Sequence, residues 1–323
     1  MKTCIIGYGA IGKIHAKILV KTQGVKLYSI CDINKERADE GARKYGIKAQ
    51  YSFEDCIKDP DIDCVHICTP HYLHFDMITK ALDSGKRVVV EKPAVMKKSE
   101  LDRLFLEYDV SKIYPIVQNR TNPCVQRMRD IIKNEDCGKL KGVKGILTWN
   151  RDKSYYDEAK WRGTKAFEGG GVLINQAVHT IDLMSCFAGK AKTVEATVSN
   201  KSLKDIIEVE DTVEAFIEFE NGAKGVFYAT NAYADNSSMQ VELVFEKKLL
   251  QYINGKLFVD DEYICTDRTD FIGKRYWGSG HECVMEDYYV YGSDFCLNDV
   301  SNTMYTLFAI YESAEKGMKI NTN

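Results

Sequence analysis

The hexapeptide Gly7-Tyr8-Gly9-Ala10-Ile11-Gly12 stands directly behind an apolar run at residues 3–6 and ahead of a helical pattern at 11–20. Taken alone the G-x-G-x-x-G spacing is weak evidence. Placed between a strand and a helix, it specifies a βα turn that brings backbone close to a phosphate. Gly7 permits the tight turn, Gly9 lets a pyrophosphate approach, and Gly12 lets helix and strand pack closely. The helix N-terminus then offers free N–H groups and a favourable dipole to the anion. Tyr8, Ala10 and Ile11 complete the loop. Asp32 lies twenty residues past Gly12, where a second apolar run at 26–31 ends. A carboxylate there accepts hydrogen bonds from an adenosine ribose and repels a 2′-phosphate, which favours NAD over NADP. Lys35 and Arg37 follow closely, and their expected place is a solvated helix start.

Further strand patterns at residues 64–68, 87–90 and 113–117 alternate with helical ones at 35–45, 75–84 and 98–108. Such βα alternation predicts a doubly wound parallel sheet. The most informative side chain then follows from position. Glu91-Lys92-Pro93 ends the run Val88-Val89-Val90, and ligands of open α/β sheets collect at the carboxyl ends of strands. A lysine there, held by a following proline, reaches a substrate hydroxyl beside a bound dinucleotide. Thr69-Pro70 closes the 64–68 strand and is expected to wall the cofactor. His71 and His74, at the next helix start, are read as local packing or capping groups.

Beyond residue 117 the pattern changes. A helix near 124–133 precedes strand-like runs at 143–149, 193–198, 212–219, 225–229 and 241–245, with Asn221-Gly222 as a hairpin turn and a closing helix at 300–316. The fold class expected is α/β: a Rossmann domain over 1–118, then an α/β domain over 119–323 with a large, mostly antiparallel open sheet. A chain of 323 residues accommodates two such cores. The net charge of −3 gives no electrostatic footprint for nucleic acid, and no run approaches the ~18–20 apolar residues of a membrane span. The first strand leaves no room for a signal peptide, and eleven cysteines without a Cys-x-x-Cys pair read as reduced thiols of a cytoplasmic protein. Cys64, His66 and Cys68 alternate along one strand face. Spaced about 6.5 Å apart, they do not converge on an ion, so no metal is expected.

With these residues in place, the chain resembles the Gfo/Idh/MocA oxidoreductases over nearly its whole length. The glycine fingerprint is followed by His15. Ile67-Cys68-Thr69-Pro70 leads to His74, and Glu91-Lys92-Pro93 matches the family's most specific signature. Gln118-Asn119-Arg120-Thr121-Asn122-Pro123 resembles its domain crossover. Trp161-Arg162-Gly163 then runs into Gly169-Gly170-Gly171 and on through Asn175 to His179 and Asp182. The resemblance implies oxidation of a sugar-like alcohol by hydride transfer to nicotinamide, with Lys92 as the active-site lysine and His179 as the catalytic histidine. It also implies a homodimer or homotetramer formed through the second domain's sheet.

One departure matters. Many members carry aspartate where this chain has Asn175, four residues before His179. On a continuous helix the two side chains share a face, and both are expected in the cleft with the substrate. Asparagine orients an imidazole but lends no charge. Asp182 is a second source of charge, with a structural ion pair as its other use. Trp149, Arg151, Tyr155, Tyr156, Trp161 and Arg162 form an aromatic-basic cluster. Tyr156, Trp161 and Arg162 are candidates for substrate contact, since aromatic faces pack on sugar C–H surfaces and arginine forks bind anions; a helix-sheet packing belt with snorkelling arginines is the equal alternative. His281 lies in a segment that also resembles the family. The function expected is an NAD-dependent dehydrogenase of a sugar, cyclitol or sugar derivative. The alternatives are a nucleotide-linked or uronic sugar as substrate, or a non-catalytic NAD-binding regulator of the same fold.

Overall fold

The computed structural model describes residues 1–237, 239–272 and 280–322. The chain gathers into two compact units, Met1–Gln118 with Asp270–Asp299, and Asn119–Thr269 with Val300–Asn323. The crossover falls after Gln118. The stretch Asp270–Asp299, which a linear division leaves with the second domain, packs with the first.

In the first unit, β1 (Lys2–Ile6), α1 (Ala10–Leu19), β2 (Lys26–Cys31), α2 (Lys35–Tyr45), β3 (Lys48–Gln50) and α3 (Phe53–Lys58) form one half. The other half is β4 (Cys64–Ile67), α4 (His74–Asp83), β5 (Arg87–Val90), α5 (Lys98–Glu107) and β6 (Ile113–Pro115). All six strands are parallel, in the order β3-β2-β1-β4-β5-β6. The order reverses between β1 and β4, and the crevice outside the carboxyl ends of strands at such a point is where dinucleotides bind. Every residue of β4 is buried, as expected of a strand covered on both faces. Helix ends are set locally: the Asn34 and Ser52 side chains accept from the Arg37 and Asp55 N–H groups at the starts of α2 and α3.

The second unit contains α6 (Pro123–Asn134), β7 (Leu140–Thr148), α7 (Lys153–Asp157), α8 (Val172–Asn175), α9 (Val178–Ala188) and β8 (Ala191–Ser199). There follow β9 (Thr212–Phe219), β10 (Lys224–Thr230), β11 (Gln240–Phe245), β12 (Leu249–Ile253), β13 (Lys256–Val259) and β14 (Glu262–Thr266). Next in the chain is α10 (Gly280–Tyr289), which belongs to the first unit, and then α11 (Ser301–Lys316) and β15 (Ile320–Asn321) of the second. The nine strands run β14-β13-β12-β11-β7-β10-β9-β8-β15, antiparallel except for the β7–β10 pair. This is the mostly antiparallel open sheet expected. Helices α9 and α11 cover one of its faces. Contact is close enough that a Cβ on Gly145 of β7 would lie 2.3 Å from the Met184 sulfur of α9. The opposite face exposes Phe216, Val226 and Val244, with the ion pairs Lys144–Glu242 and Lys224–Glu218 among them.

Helix α10 completes the first core. Val284, Met285 and Tyr288, at helical spacing, join the cluster of Ile5, Tyr8, Ala16, Leu19 and Ile30.

Candidate active site

The glycine loop is shaped for close backbone approach. Gly7 has φ +91°, and a Cβ on it would lie 2.9 Å from the Cys68 carbonyl oxygen and 3.2 Å from the Thr69 methyl. A Cβ on Gly12 would fall 2.0 Å from the Gly7 carbonyl oxygen, so α1 packs on the turn only with glycine there. Above Gly9 there is open space: among the described residues, nothing beyond its chain neighbours lies within 4 Å of where its Cβ would be, and Gly9 begins α1 with no side-chain cap. The orphan N–H groups of that helix end are thus left for an anion. Asp32 is buried at the end of β2. Its two oxygens accept from the backbone N–H groups of Tyr8 and Asn34, each at 2.8 Å. An ionised carboxylate has about four acceptor positions, so two remain for ribose hydroxyls. These residues fit a dinucleotide. The Tyr8 ring itself is core, and its part in the loop is played by the backbone. Thr69 sits against Gly7. Lys35 lies over the Tyr51 ring, at the surface start of α2.

Behind Lys92 lies a buried chain of titratable groups. Glu91 Oε1 is 2.9 Å from His15 Nε2 and 3.5 Å from His281 Nε2. His15 Nδ1 is 2.9 Å from His66 Nδ1, and His66 Nε2 is 2.6 Å from the Tyr289 hydroxyl. Burial pulls His15 and His66 down, so both rings are neutral. Burial alone would raise the Glu91 carboxyl, but its hydrogen bonds with His15 and His281 hold it well below the usual range. One proton arrangement satisfies every close contact. Tyr289 donates to His66, His66 Nδ1–H donates to His15, and His15 Nε2–H donates to the Glu91 anion. Glu91 Oε2 in turn accepts from the Lys92 backbone N–H at 3.3 Å, so the anchored carboxylate also fixes the start of the Lys92-Pro93 turn. His15, Glu91 and His281 are the one group of ligand-type side chains among the described residues whose donor atoms converge, all within 4.8 Å. A separation of 2.9 Å is that of a hydrogen bond, which is how we read it.

His74 braces the same turn from the other side. Its ring nitrogens face the Thr69 and Pro93 carbonyl oxygens at 2.8 Å each, joining the cofactor wall to the residue after Lys92. Lys92 itself is half-buried at the carboxyl end of β5.

In the second unit, Asn175 and His179 do not share a continuous helix. Asn175 is the last residue of α8 and His179 the second of α9. The break arises because the Ala177 N–H bonds back to Val172 rather than Leu173, skipping one residue of the ladder. The expectation of a shared helix face therefore does not hold. The start of α8 is fixed by Glu210, which accepts from the Gly171 and Leu173 N–H groups and from the Tyr311 hydroxyl. Two of the three glycines before α8 are required by this: a Cβ on Gly170 would lie 2.0 Å from the Tyr311 oxygen, and one on Gly171 1.9 Å from the Glu210 carbonyl oxygen.

Asn175 is buried, and its amide donates to Glu168, a carboxylate only 1% exposed. Sequence reasoning passed over Glu168; its one signal was an acidic residue directly before three glycines. Asp182 is fully buried in a two-pronged pair with Arg120, at 2.6 and 2.8 Å, and accepts from Thr303 at 2.8 Å. Its use is structural, tying the crossover to α9.

The aromatic-basic cluster divides. Tyr156 packs with Leu203, Ile207 and Val209, and its hydroxyl accepts from Asn231 at 3.2 Å, which makes it a core residue. Arg162 lies over the Tyr155 ring and donates to the Tyr155 carbonyl and to Glu158, so its charge is met within the chain. Trp161 remains half-buried beside it.

A strand-ordered Rossmann sheet with an open glycine turn, an acid at the end of β2 and an anchored lysine at the end of β5 defines an NAD-binding fold of the oxidoreductase type. Comparison with known proteins agrees. Residues 1–110 match the oxidoreductase family with NAD-binding Rossmann fold, GFO/IDH/MocA, and residues 125–251 match the GFO/IDH/MocA C-terminal domain. The chain belongs to this family. It is 28% identical to levoglucosan dehydrogenase of Pseudarthrobacter phenanthrenivorans, over 66% of this chain and 61% of that protein. It is 24% identical to myo-inositol 2-dehydrogenase of Thermotoga maritima, over 85% and 81%. Among solved structures, the WlbA dehydrogenase from Bordetella pertussis in complex with NADH and UDP-GlcNAcA superposes with a TM-score of 0.85. That match has 24% identity and covers 99% of this chain and 98% of the other. Among the described residues no helix is long and apolar enough to cross a membrane.

Proposed function

We propose that the protein is an NAD-dependent dehydrogenase that oxidises a secondary alcohol of an uncharged sugar or cyclitol. The observation that carries this reading is Lys92, held at the end of β5 by the buried Glu91 carboxylate and the His74 brace. NAD, when bound, supplies the acceptor for the hydride of the carbinol carbon. Lys92 hydrogen-bonds the hydroxyl oxygen and, as a cation, lowers that group's pKa. His179 takes the hydroxyl proton as general base. Asn175 orients the substrate or the imidazole, and the Trp161 face packs on ring C–H groups. The pairing of Arg162 with Glu158 favours an uncharged ring over a uronic or nucleotide-linked one. The first unit then binds the cofactor and the second the substrate.

A panel of polyols, aldoses and nucleotide sugars, followed by absorbance of the reduced cofactor, tests the substrate class. On the true substrate Lys92→Ala should lose about 10²-fold or more in kcat, the range for acid–base groups, with NAD affinity unchanged. A near-normal kcat in that variant would refute the role. We further propose a homodimer or homotetramer, because the sheet face bearing Phe216 (67% exposed), Val226 and Val244 is uncovered and mixes apolar groups with ion pairs. Phe216→Glu should shift light scattering toward the monomer, and a wild-type monomer at micromolar concentration would sink this proposal.

A further inference from the structure

The interior of the second unit holds a carboxylate that the mechanism above does not use. Glu168 is 1% exposed, so its charge is stable only where hydrogen bonds replace the lost water. Its two oxygens are used differently. One accepts from the Gly163 N–H and closes the loop 163–168, which the Glu168 N–H to Thr164 carbonyl bond also ties. The other accepts from the Asn175 side chain, on the far side of the glycine turn. A carboxylate needed only to close a loop has no requirement for that second partner. Asn175 is itself 8% exposed and stands four residues before His179, at the break between α8 and α9.

An amide next to an anion has one orientation. Its NH2 must face the carboxylate, so Oδ1 is presented in another direction as an acceptor. We propose that Glu168 is a positioning residue for catalysis: it locks the Asn175 amide with Oδ1 as the acceptor for the substrate hydroxyl or the His179 ring N–H. It also supplies the negative charge that Asn175 lacks, one hydrogen bond further back. The inference rests on the reading of Asn175 and His179 as site residues. Tyr155 and Tyr156 of α7 and Tyr311 of α11 are among the groups that face the carboxylate, and burial raises all three, so these tyrosines stay neutral.

The proposal predicts a polarity rule for the pair, one carboxylate and one amide. Glu168→Gln keeps the shape but lets the Asn175 amide flip, and kcat should fall about tenfold with KM and NAD affinity little changed, the scale of one charge-assisted hydrogen bond. Asn175→Asp places two carboxylates in contact and should lose more than Glu168→Gln. The double variant E168Q/N175D restores one acid and one amide with the bond reversed, and should recover most of the Asn175→Asp loss. Rescue of kcat decides even if a single variant folds poorly, because a merely structural role predicts that the defects accumulate. Wild-type kcat in Glu168→Gln, or a double variant no better than Asn175→Asp, would overturn the inference. Full activity in His179→Ala would instead overturn the site reading beneath it, so the two failures are distinguishable.

Discussion

Behind Lys92, the buried Glu91 carboxylate is met by the His15 and His281 rings, and His66 stands behind His15; burial lowers His15 and His66, so both are neutral. In the second unit, the buried carboxylate of Asp182 is met by a permanent cation, Arg120, with two N–H···O bonds. Both solutions satisfy a buried acid, but they differ in what they allow. An arginine pair is insensitive to pH near neutrality and fixes structure. A histidine chain holds its acid by neutral donors whose own proton count can change. The first unit therefore places its pH-sensitive groups directly behind the residue proposed to touch substrate. The second keeps a buried ion pair, Arg120 with Asp182, between the crossover and α9.

The largest effect expected from breaking this contrast lies at the arginine pair. Asp182→Ala leaves the Arg120 guanidinium buried without its counterion, and removal of one partner of such a pair costs about 3–5 kcal/mol. Replacing both, as in Arg120→Met with Asp182→Leu, should lose far less than Asp182→Ala. Urea denaturation of the full chain measures both. If Asp182→Ala loses under ~1 kcal/mol, the pair does not hold the crossover in the way described.

Much of the contrast was invisible in the sequence, for physical reasons. The glycine turn, Asp32 and the position of Lys92 were legible because each depends on a strand end and a short spacing. The open sheet was legible from alternation, although β12, β13, β14 and β15 went unread. Asn254-Gly255, both at positive φ, carries the same hairpin signal as Asn221-Gly222. The return of α10 to the first core was not legible. The apolar residues Val284, Met285 and Tyr288 lie at helical spacing, which went unread, and a local pattern says nothing of which core receives it. His281 had no assignable role for that reason, and it now stands beside Glu91. Tyr156 and Arg162 stood open between substrate contact and a packing belt for a similar reason, since an aromatic beside a cation looks alike in a site and in a core. The break after Asn175 depends on where one N–H group bonds, and spacing alone could not reveal it.

The finest separation of the two units is the sign of their response to acid. His15 and His66 are lowered in the folded first unit, so between their folded values and about 6.5 the unfolded chain binds protons that the folded one does not. Stability rises with pH wherever the unfolded state binds more protons, so the first unit should weaken as pH falls below about 6.5. Each ring contributes a slope of at most about 1.4 kcal/mol per pH unit, and the two share a hydrogen bond, so their effects will not add fully. Glu91, held low, adds a loss of the same sign once pH drops below about 4.5. In the second unit the buried Glu210 has the opposite sign. Burial raises Glu210, so its contribution is present in acid and is lost as pH rises through its folded value. Amide hydrogen exchange of the full chain at pH 7.5 and 5.5, corrected for intrinsic rates, should therefore show lost protection at β1, β4 and α10 with little or none at β9 and α11. His66→Asn, which removes one titrating ring, should reduce the first-unit loss while lowering its protection at pH 7.5. Equal losses in both units at pH 5.5 would mean that the histidine chain does not set the acid response, and the contrast between the two ways of holding a buried acid would then have no thermodynamic consequence.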